Sequence, residues 1–111
     1  FLRRVKDKFA VKALRYSSQS PTLVIKRVAL CGGSGASLIR EAMRAGADLY
    51  VTGDIKYHDF AGYGQQMVIA DIGHYESELC SMKIFSRIIR QQYPELVVYF
   101  SDDQRNPVGI M

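Results

Sequence analysis

The chain has 111 residues, of which 48% are hydrophobic and 23% charged, and this composition excludes a largely disordered protein. No apolar run approaches the roughly 18 residues that a membrane-spanning helix needs, so we predict no membrane partner. The formal charge is +4, but residues 1–16 carry +5 and the rest −1, without interleaved aromatic residues or a recognition motif. This local excess is typical of a solvated basic helix face or an edge strand, and we predict no nucleic-acid partner.

The first half of the chain predicts strands and helices in alternation. In chain order these are a helix over 2–9, a short strand over 11–16, a loop over 17–21, a strand over 23–31 whose second half is buried on both faces, a turn over 32–35 that ends this strand, and a helix over 36–45. Residues 1–20 are thus expected to lead into the unit as a basic helix, a strand and a loop.

The second half continues the alternation. In chain order the predicted elements are a strand over 49–51, a helix over 57–62, a strand over 67–72, a helix over 76–92 with an apolar stripe (Leu79, Met82, Phe85, Ile88 and Ile89), and a last strand over 96–100. The alternation predicts an α/β fold with a mostly parallel sheet flanked by helices, as one unit over residues 1–111.

The two cysteines, Cys31 and Cys80, are far apart and form no C-x-x-C pair. A chain of this size does not need a disulfide, and the start of the sequence lacks the long apolar stretch of a secretion signal. We therefore expect a reducing, cytoplasmic setting. Because the first residue is Phe1, we also expect the chain to be a piece of a longer protein.

Ligands of open α/β sheets bind beyond the carboxyl ends of the strands, and three of these ends are polar here. They are the segments 31–37, 52–59 and 71–78, which contain both histidines of the chain. We expect these segments to lie along one rim.

The glycine-rich turn with Gly33, Ser34 and Gly35 can offer backbone N–H groups to a phosphate or carboxylate. It lacks the third glycine of a dinucleotide-binding motif, because Leu38 stands at that position, and no Lys-Ser or Lys-Thr follows as in a P-loop. A tight turn capped by Ser34 or Ser37 is the simpler interpretation.

His74 and Glu78 are four residues apart at a helix start, so they can share a metal ion, and an imidazole with a carboxylate suits zinc, iron or manganese. A hydrogen bond between the two side chains is the alternative. Two ligands are too few for a catalytic zinc site, which takes about three protein ligands. Asp54 and His58, with the same spacing, and Asp71, at the end of the next strand, are candidates for a substrate-binding or supporting role.

These segments together resemble the GTP cyclohydrolase 1 type 2 homologue family, the YbgI-like dinuclear metal-centre proteins. The resemblance is carried by Gly-Gly-Ser-Gly-Ala-Ser at 32–37, by residues 47–58 and by Asp-Ile-Gly-His-Tyr-Glu-Ser-Glu at 71–78. It implies that the chain is the C-terminal part of a larger α/β protein. It also implies that His74 and Glu78 help to bind two divalent ions, with Glu78 as the bridging ligand.

In that family, the other ligands are two adjacent histidines and an aspartate from the N-terminal part, and no His-His dipeptide exists here. The resemblance therefore implies half of a metal site, and a ring-like homohexamer for the complete protein. The implied function is a metal-dependent hydrolase acting on a nucleotide or related small molecule. Two alternatives stay open: a non-catalytic metal-binding or protein-interaction module that docks through its basic N-terminal segment, and a nucleotide-binding module without metal.

Overall fold

The computed structural model describes residues 1–17, 24–103 and 105–111. The helices are α1 (Leu2–Lys8), α2 (Ile39–Arg44), α3 (Tyr57–Tyr63), α4 (His74–Glu78) and α5 (Ser81–Gln92), and a 3-10 turn (Ala36–Leu38) precedes α2. The strands are β1 (Arg15–Tyr16), β2 (Val28–Ser34), β3 (Leu49–Gly53) and β4 (Val68–Asp71).

The four strands form one sheet in the order β1-β4-β3-β2. Strands β2, β3 and β4 are parallel neighbours, whereas β1 runs antiparallel to β4 and pairs Arg15 with Asp71. The predicted α/β fold with a mostly parallel sheet is confirmed. Because β3 and β4 are parallel neighbours, their carboxyl ends lie at the same edge of the sheet.

Both faces of the sheet are covered, because alternate residues of β3 and β4 point to opposite sides. One core cluster contains residues from α1, from the segment after it and from the sheet: Val5, Val11, Leu49, Val51, Val68, Ala70 and Ile72. The other joins α2 and the loops to the opposite face: Ile39, Ala42, Ala47, Tyr50, Ile55, Met67 and Ile69. The central strands β3 and β4 are buried along their whole length, as their apolar runs predict.

The N-terminal strands differ from the predicted ones. The strand predicted over 11–16 is reduced to the two residues of β1. Strand β2 begins only at Val28 and lies at the edge of the sheet, so its second half is not buried on both faces: Leu30 is 62% exposed. The glycines at 32–33 do not end β2, because the strand continues until Ser34 pairs with Gly53. Residues 18–23, which include most of the predicted loop and the start of the predicted strand, lie outside the described residues.

The C-terminal third also corrects the prediction. The helix predicted over 76–92 is two helices, α4 and α5, separated at Leu79 and Cys80, and α4 begins two residues earlier than predicted. The apolar stripe of α5 is largely exposed rather than packed on the sheet, and Phe85 is 62% exposed. Residues 96–100 form no strand and are mostly exposed. A strand needs a hydrogen-bonding partner, and none pairs with this segment among the described residues.

Among the described residues, no helix combines the length and the apolar character required to cross a membrane.

Candidate functional site

The carboxyl ends of β3 and β4 bring Asp54 and His74 together. Asp54 follows β3 with a φ of +57°, and His74 starts α4 directly after Gly73, whose φ is +90°. A non-glycine residue in the left-handed region is uncommon and carries strain, although aspartate tolerates it better than most residues. These sharp turns at the two strand ends let side chains from both strands meet at one edge.

His74 lies between two carboxylates. Its Nδ1 atom is 2.6 Å from Oδ2 of Asp54, and its Nε2 atom is 3.3 Å from Oε2 of Glu78. The hydrogen bond to Asp54 raises the pKa of His74 above its ordinary value, and the charge of Glu78 adds to this effect. All three side chains are about half exposed, so an incoming ligand can reach them. The predicted pairing of His74 with Glu78 on one side of a helix is thus present in the geometry.

Gly33 lies directly beside this pair. A side chain at position 33 would overlap the Glu78 carboxylate and would come 3.4 Å from Cε1 of His74, and the φ of Gly33 is +66°. The backbone N–H of Gly33 donates to the Ser77 hydroxyl at 2.8 Å, and that hydroxyl donates to the His74 carbonyl at 2.8 Å. These hydrogen bonds hold β2 against α4, and the missing side chain at position 33 leaves space beside His74 and Glu78.

Within the glycine-rich segment, the backbone N–H of Gly33 is not free to bind an anion, because it donates to the Ser77 hydroxyl. Both backbone groups of Gly33 are used internally, because its carbonyl accepts a hydrogen bond from the Thr52 hydroxyl at 3.1 Å. The Gly35 carbonyl accepts one from Tyr50 at 2.9 Å. The capping role predicted for Ser34 or Ser37 is wrong. No side chain caps the 3-10 turn or α2, and both serines are exposed.

Asp71 is buried, with 4% of its surface exposed, and it supports both turns of the site. Its Oδ2 atom accepts hydrogen bonds from the backbone N–H of Ile55 at 3.0 Å and from Arg15, and its Oδ1 atom accepts one from Gly73 N–H at 2.9 Å. Ile55 follows Asp54 and Gly73 precedes His74. Asp71 therefore holds the backbone on both sides of the Asp54–His74 contact.

His58 is not part of this cluster. Helix α3 begins only at Tyr57, so Asp54 and His58 do not share a helix face despite their four-residue spacing. The His58 ring faces solvent and contacts the Tyr57 ring edge to face, with 5.6 Å between the ring centroids. The structure thus pairs Asp54 with His74 instead.

An open cavity of about 720 Å³ adjoins the cluster. Asp54, His74 and Glu78 lie on its wall together with apolar residues and the C-terminal segment. Sequence reasoning missed several of its lining residues, namely Arg15, Tyr75, Met82 and Asn106. The cross-strand pair of Arg15 with Asp71 was the available signal, but it depends on a register that periodicity does not reveal.

The donor set has the chemistry for a divalent transition metal, because it combines an imidazole with carboxylates. In the part of the chain that the structure describes, no group of three or more His, Cys, Asp and Glu side chains is arranged to hold a metal ion by itself. His74 and Glu78 therefore fit part of a metal site, with Asp54 behind the imidazole.

Comparison with known proteins gives one family model, described as Duf34/NIF3 (NGG1p interacting factor 3), which matches residues 1–107. Among curated proteins, a "GTP cyclohydrolase 1 type 2 homolog" of Clostridium perfringens is 41% identical over 75 residues, covering 67% of this chain and 28% of the relative. The protein of the same name from Lactococcus lactis is 34% identical over 111 residues, covering 94% of this chain and 41% of the relative. The chain thus spans well under half of these relatives.

The solved structures agree with these matches. A Bacillus cereus protein related to NIF3 superposes with a TM-score of 0.77 at 26% identity, covering 98% of this chain and 31% of that protein. A Staphylococcus aureus protein gives a TM-score of 0.79 at 27% identity, with 98% and 36% covered.

Proposed function

Because the chain belongs to the Duf34/NIF3 (NGG1p interacting factor 3) family, we propose that it contributes His74 and Glu78 to a centre of two divalent metal ions in the complete protein. The ions are zinc, iron or manganese, the metals that suit an imidazole combined with carboxylates. The GTP cyclohydrolase 1 type 2 homologue relationship indicated by the sequence motifs is itself confirmed by the curated relatives.

The observation that carries this proposal is the placement of His74 between Asp54 and Glu78. A metal-binding histidine usually donates its second ring N–H to a carboxylate, which fixes the tautomer and the ring orientation. Asp54 is in position to accept this bond from Nδ1. Nε2 and the Glu78 carboxylate are then the two groups on the same side of α4 that can bind a metal ion.

The proposed activity is hydrolysis of a nucleotide or a related small molecule. When bound, the divalent ions would lower the pKa of a water molecule and so supply the nucleophile. The chain's own residues would hold the site in shape: Asp54 orients the imidazole, Asp71 fixes both flanking turns, and the glycine at position 33 keeps space beside Glu78. The adjoining cavity provides the volume for a small-molecule substrate.

The test is metal content by plasma mass spectrometry on the full-length protein, purified without chelator. The wild type is compared with His74→Ala and Glu78→Ala, and Glu41→Gln, an exposed carboxylate on α2, is the matched control. We expect divalent metal in the wild type and the control and its loss in both site variants. The metal-loaded proteins are then incubated with nucleotides and phosphoesters, and products are separated by chromatography.

Unchanged metal content in both variants would mean that His74 and Glu78 form a hydrogen bond with each other and do not bind metal. Metal without turnover would favour the non-catalytic alternative, in which Arg3, Arg4, Lys6 and Lys8 form a docking surface; these four side chains are exposed on α1. Changing them to glutamate would then abolish partner binding and leave the metal in place. The homohexamer implied by the resemblance stays a prediction, which light scattering on the full-length protein tests.

A further inference from the structure

We propose that Arg15 binds an anionic group, a carboxylate or a phosphoryl group, of a partly apolar small molecule in the cavity beside His74. The inference rests on the proposed function, because it concerns the ligand on which that site acts. It assigns a role to a residue of the edge strand β1, outside the motifs that define the metal site.

The guanidinium of Arg15 is held at the cavity wall. Its Nη2 atom donates to the Ile55 carbonyl at 3.0 Å and to the Asp71 carboxylate, and its Cζ atom lies 5.8 Å from the centroid of the Phe60 ring. Buried Asp71 is itself fixed by the backbone N–H groups of Ile55 and Gly73. The position of the guanidinium is therefore set by contacts with the folded core.

Much of the guanidinium stays available to a ligand. A guanidinium has five N–H donors, and Arg15 uses only those of Nη2 for these hydrogen bonds within the described chain. The side chain is 64% exposed although its partner Asp71 is buried. The N–H groups that remain, one on Nε and two on Nη1, point to different sides of the guanidinium, and each can donate a charge-assisted hydrogen bond to a carboxylate or phosphoryl oxygen.

The charges of the cavity lining determine where an anionic group can be bound. Among the described lining residues, Arg15 alone carries a fixed positive charge, whereas four residues are carboxylates (Asp54, Asp71, Glu76 and Glu78). Each carboxylate already has a partner: Asp54 and Glu78 contact His74, Asp71 contacts Arg15, and Glu76 accepts a hydrogen bond from Asn106 at 2.8 Å. The ligand's negative charge is thus directed to Arg15 or to the metal ions.

The rest of the wall indicates the body of the ligand. Most of the exposed lining surface is apolar, and the apolar side chains that contribute to it include Ala13, Ile72, Leu79, Met82, Val108 and Ile110. An apolar wall with a few polar groups is typical of sites for small organic molecules. Arg15 bonds to the carbonyl of Ile55, the residue that follows Asp54, so the anion would lie close to the His74 cluster. The ligand therefore combines an apolar part with an anionic group near the reacting centre.

The experiment uses the full-length, metal-loaded protein and isothermal titration with matched probes. GMP is compared with guanosine, and benzoate with benzamide, so that each pair differs in one anionic group. The proteins are the wild type, Arg15→Ala, Arg15→Lys and the control Arg44→Ala. The exposed Arg44 side chain lies 3.5 Å from the Glu41 carboxylate and does not line the cavity. Metal content and melting temperature are measured on the same samples.

We expect at least one charged probe to bind the wild type about 10- to 100-fold tighter than its neutral partner. Arg15→Ala should reduce this difference selectively, Arg15→Lys should restore part of it as a point charge, and Arg44→Ala should preserve it. A structural role alone would weaken charged and neutral probes equally, and that result would overturn the proposal. Binding of neither charged probe to the wild type would also overturn it.

The two proposals can fail separately. If His74→Ala loses its metal but Arg15→Ala has no selective effect on the charged probes, the proposed metal centre is supported and the proposed role of Arg15 is rejected. A wild type without metal removes the proposed function, while the difference between charged and neutral probes still reports on Arg15.

Discussion

Oδ2 of Asp54 lies 2.6 Å from Nδ1 of His74, and this contact leaves Nε2 of the same ring facing Glu78 at 3.3 Å. With the proton on Nδ1, Nε2 has a lone pair for a metal ion. One ring nitrogen is thus used for orientation and the other for coordination.

Asp54→Asn should reduce metal affinity about 10- to 100-fold, because the amide cannot hold the ring and its tautomer as a carboxylate does. Competition with a fluorescent chelator on the full-length protein measures this affinity. Asp7→Asn, an exposed position on α1, is the control and should leave it unchanged. Equal affinity in Asp54→Asn and the wild type would show that Asp54 does not support the imidazole.

Gly33→Ala should destabilise the protein by about 1–2 kcal/mol, because its φ of +66° disfavours a side chain. It should also lower metal affinity, since the new methyl group would displace the Glu78 carboxylate. Gly62→Ala on α3 is the matched control: nothing lies within 4 Å of its added carbon, and alanine favours the helix by up to about 1 kcal/mol. Urea unfolding and metal titration check both effects. An unchanged metal affinity in Gly33→Ala would show that the space beside Glu78 is not needed.

How much of the site the sequence predicts depends on the distance between its parts. The pairing of His74 with Glu78 is local, so helical spacing is enough to find it. The contact of Asp54 with His74 requires that β3 and β4 be neighbours and that the chain turn sharply after each strand. The four-residue spacing of Asp54 and His58 does not bring them together, because α3 begins only at Tyr57.

The fold shows the same limit. The strands β3 and β4 begin with apolar runs and are fully buried, so their composition predicts them. Residues 96–100 are equally apolar but form no strand, because strand formation depends on a pairing partner and not on composition alone. Four of the five residues of the predicted stripe lie on α5, and the stripe is largely exposed, because periodicity does not show what covers a helix face.

Asp71→Asn should cost about 2–3 kcal/mol, since a buried carboxylate that accepts hydrogen bonds from two N–H groups and Arg15 is replaced by a neutral amide. Glu41→Gln, which breaks an exposed ion pair with Arg44, should cost no more than about 0.5 kcal/mol. Thermal and urea unfolding compare the two variants. A cost for Asp71→Asn as small as that of the control would mean that the turns of the site are held by other contacts.

Tyr50→Phe should cost about 1–2 kcal/mol at neutral pH, because it leaves the buried Gly35 carbonyl without its donor at 2.9 Å. Burial raises the pKa of the Tyr50 phenol to about 12, and the nearby Cys31 adds to the shift. The folded state therefore favours the neutral phenol. This contribution is fully present below about pH 10, the ordinary pKa, and is lost as the pH rises toward 12.

The measurement is urea unfolding of the wild type and Tyr50→Phe between pH 7 and pH 12. Subtracting the two curves removes the titration of the other tyrosines and of the lysines, which both proteins share. The difference in unfolding free energy should stay constant up to about pH 10 and shrink above it. A difference that grows with pH would contradict a buried neutral phenol at this position.

Ile69→Ala and Ile88→Ala separate the buried sheet from the exposed stripe of α5. Ile69 is fully buried in the core cluster that contains Tyr50, so its truncation should cost about 2–5 kcal/mol. Ile88 is 46% exposed, and its truncation in the 111-residue chain should change stability by about 0.5 kcal/mol or less. Both values come from urea unfolding.

If Ile88→Ala costs several times more in the full-length protein than in this chain, the stripe is covered there by the rest of the protein or by another copy. If the cost is equally small in both, the stripe is a solvated surface.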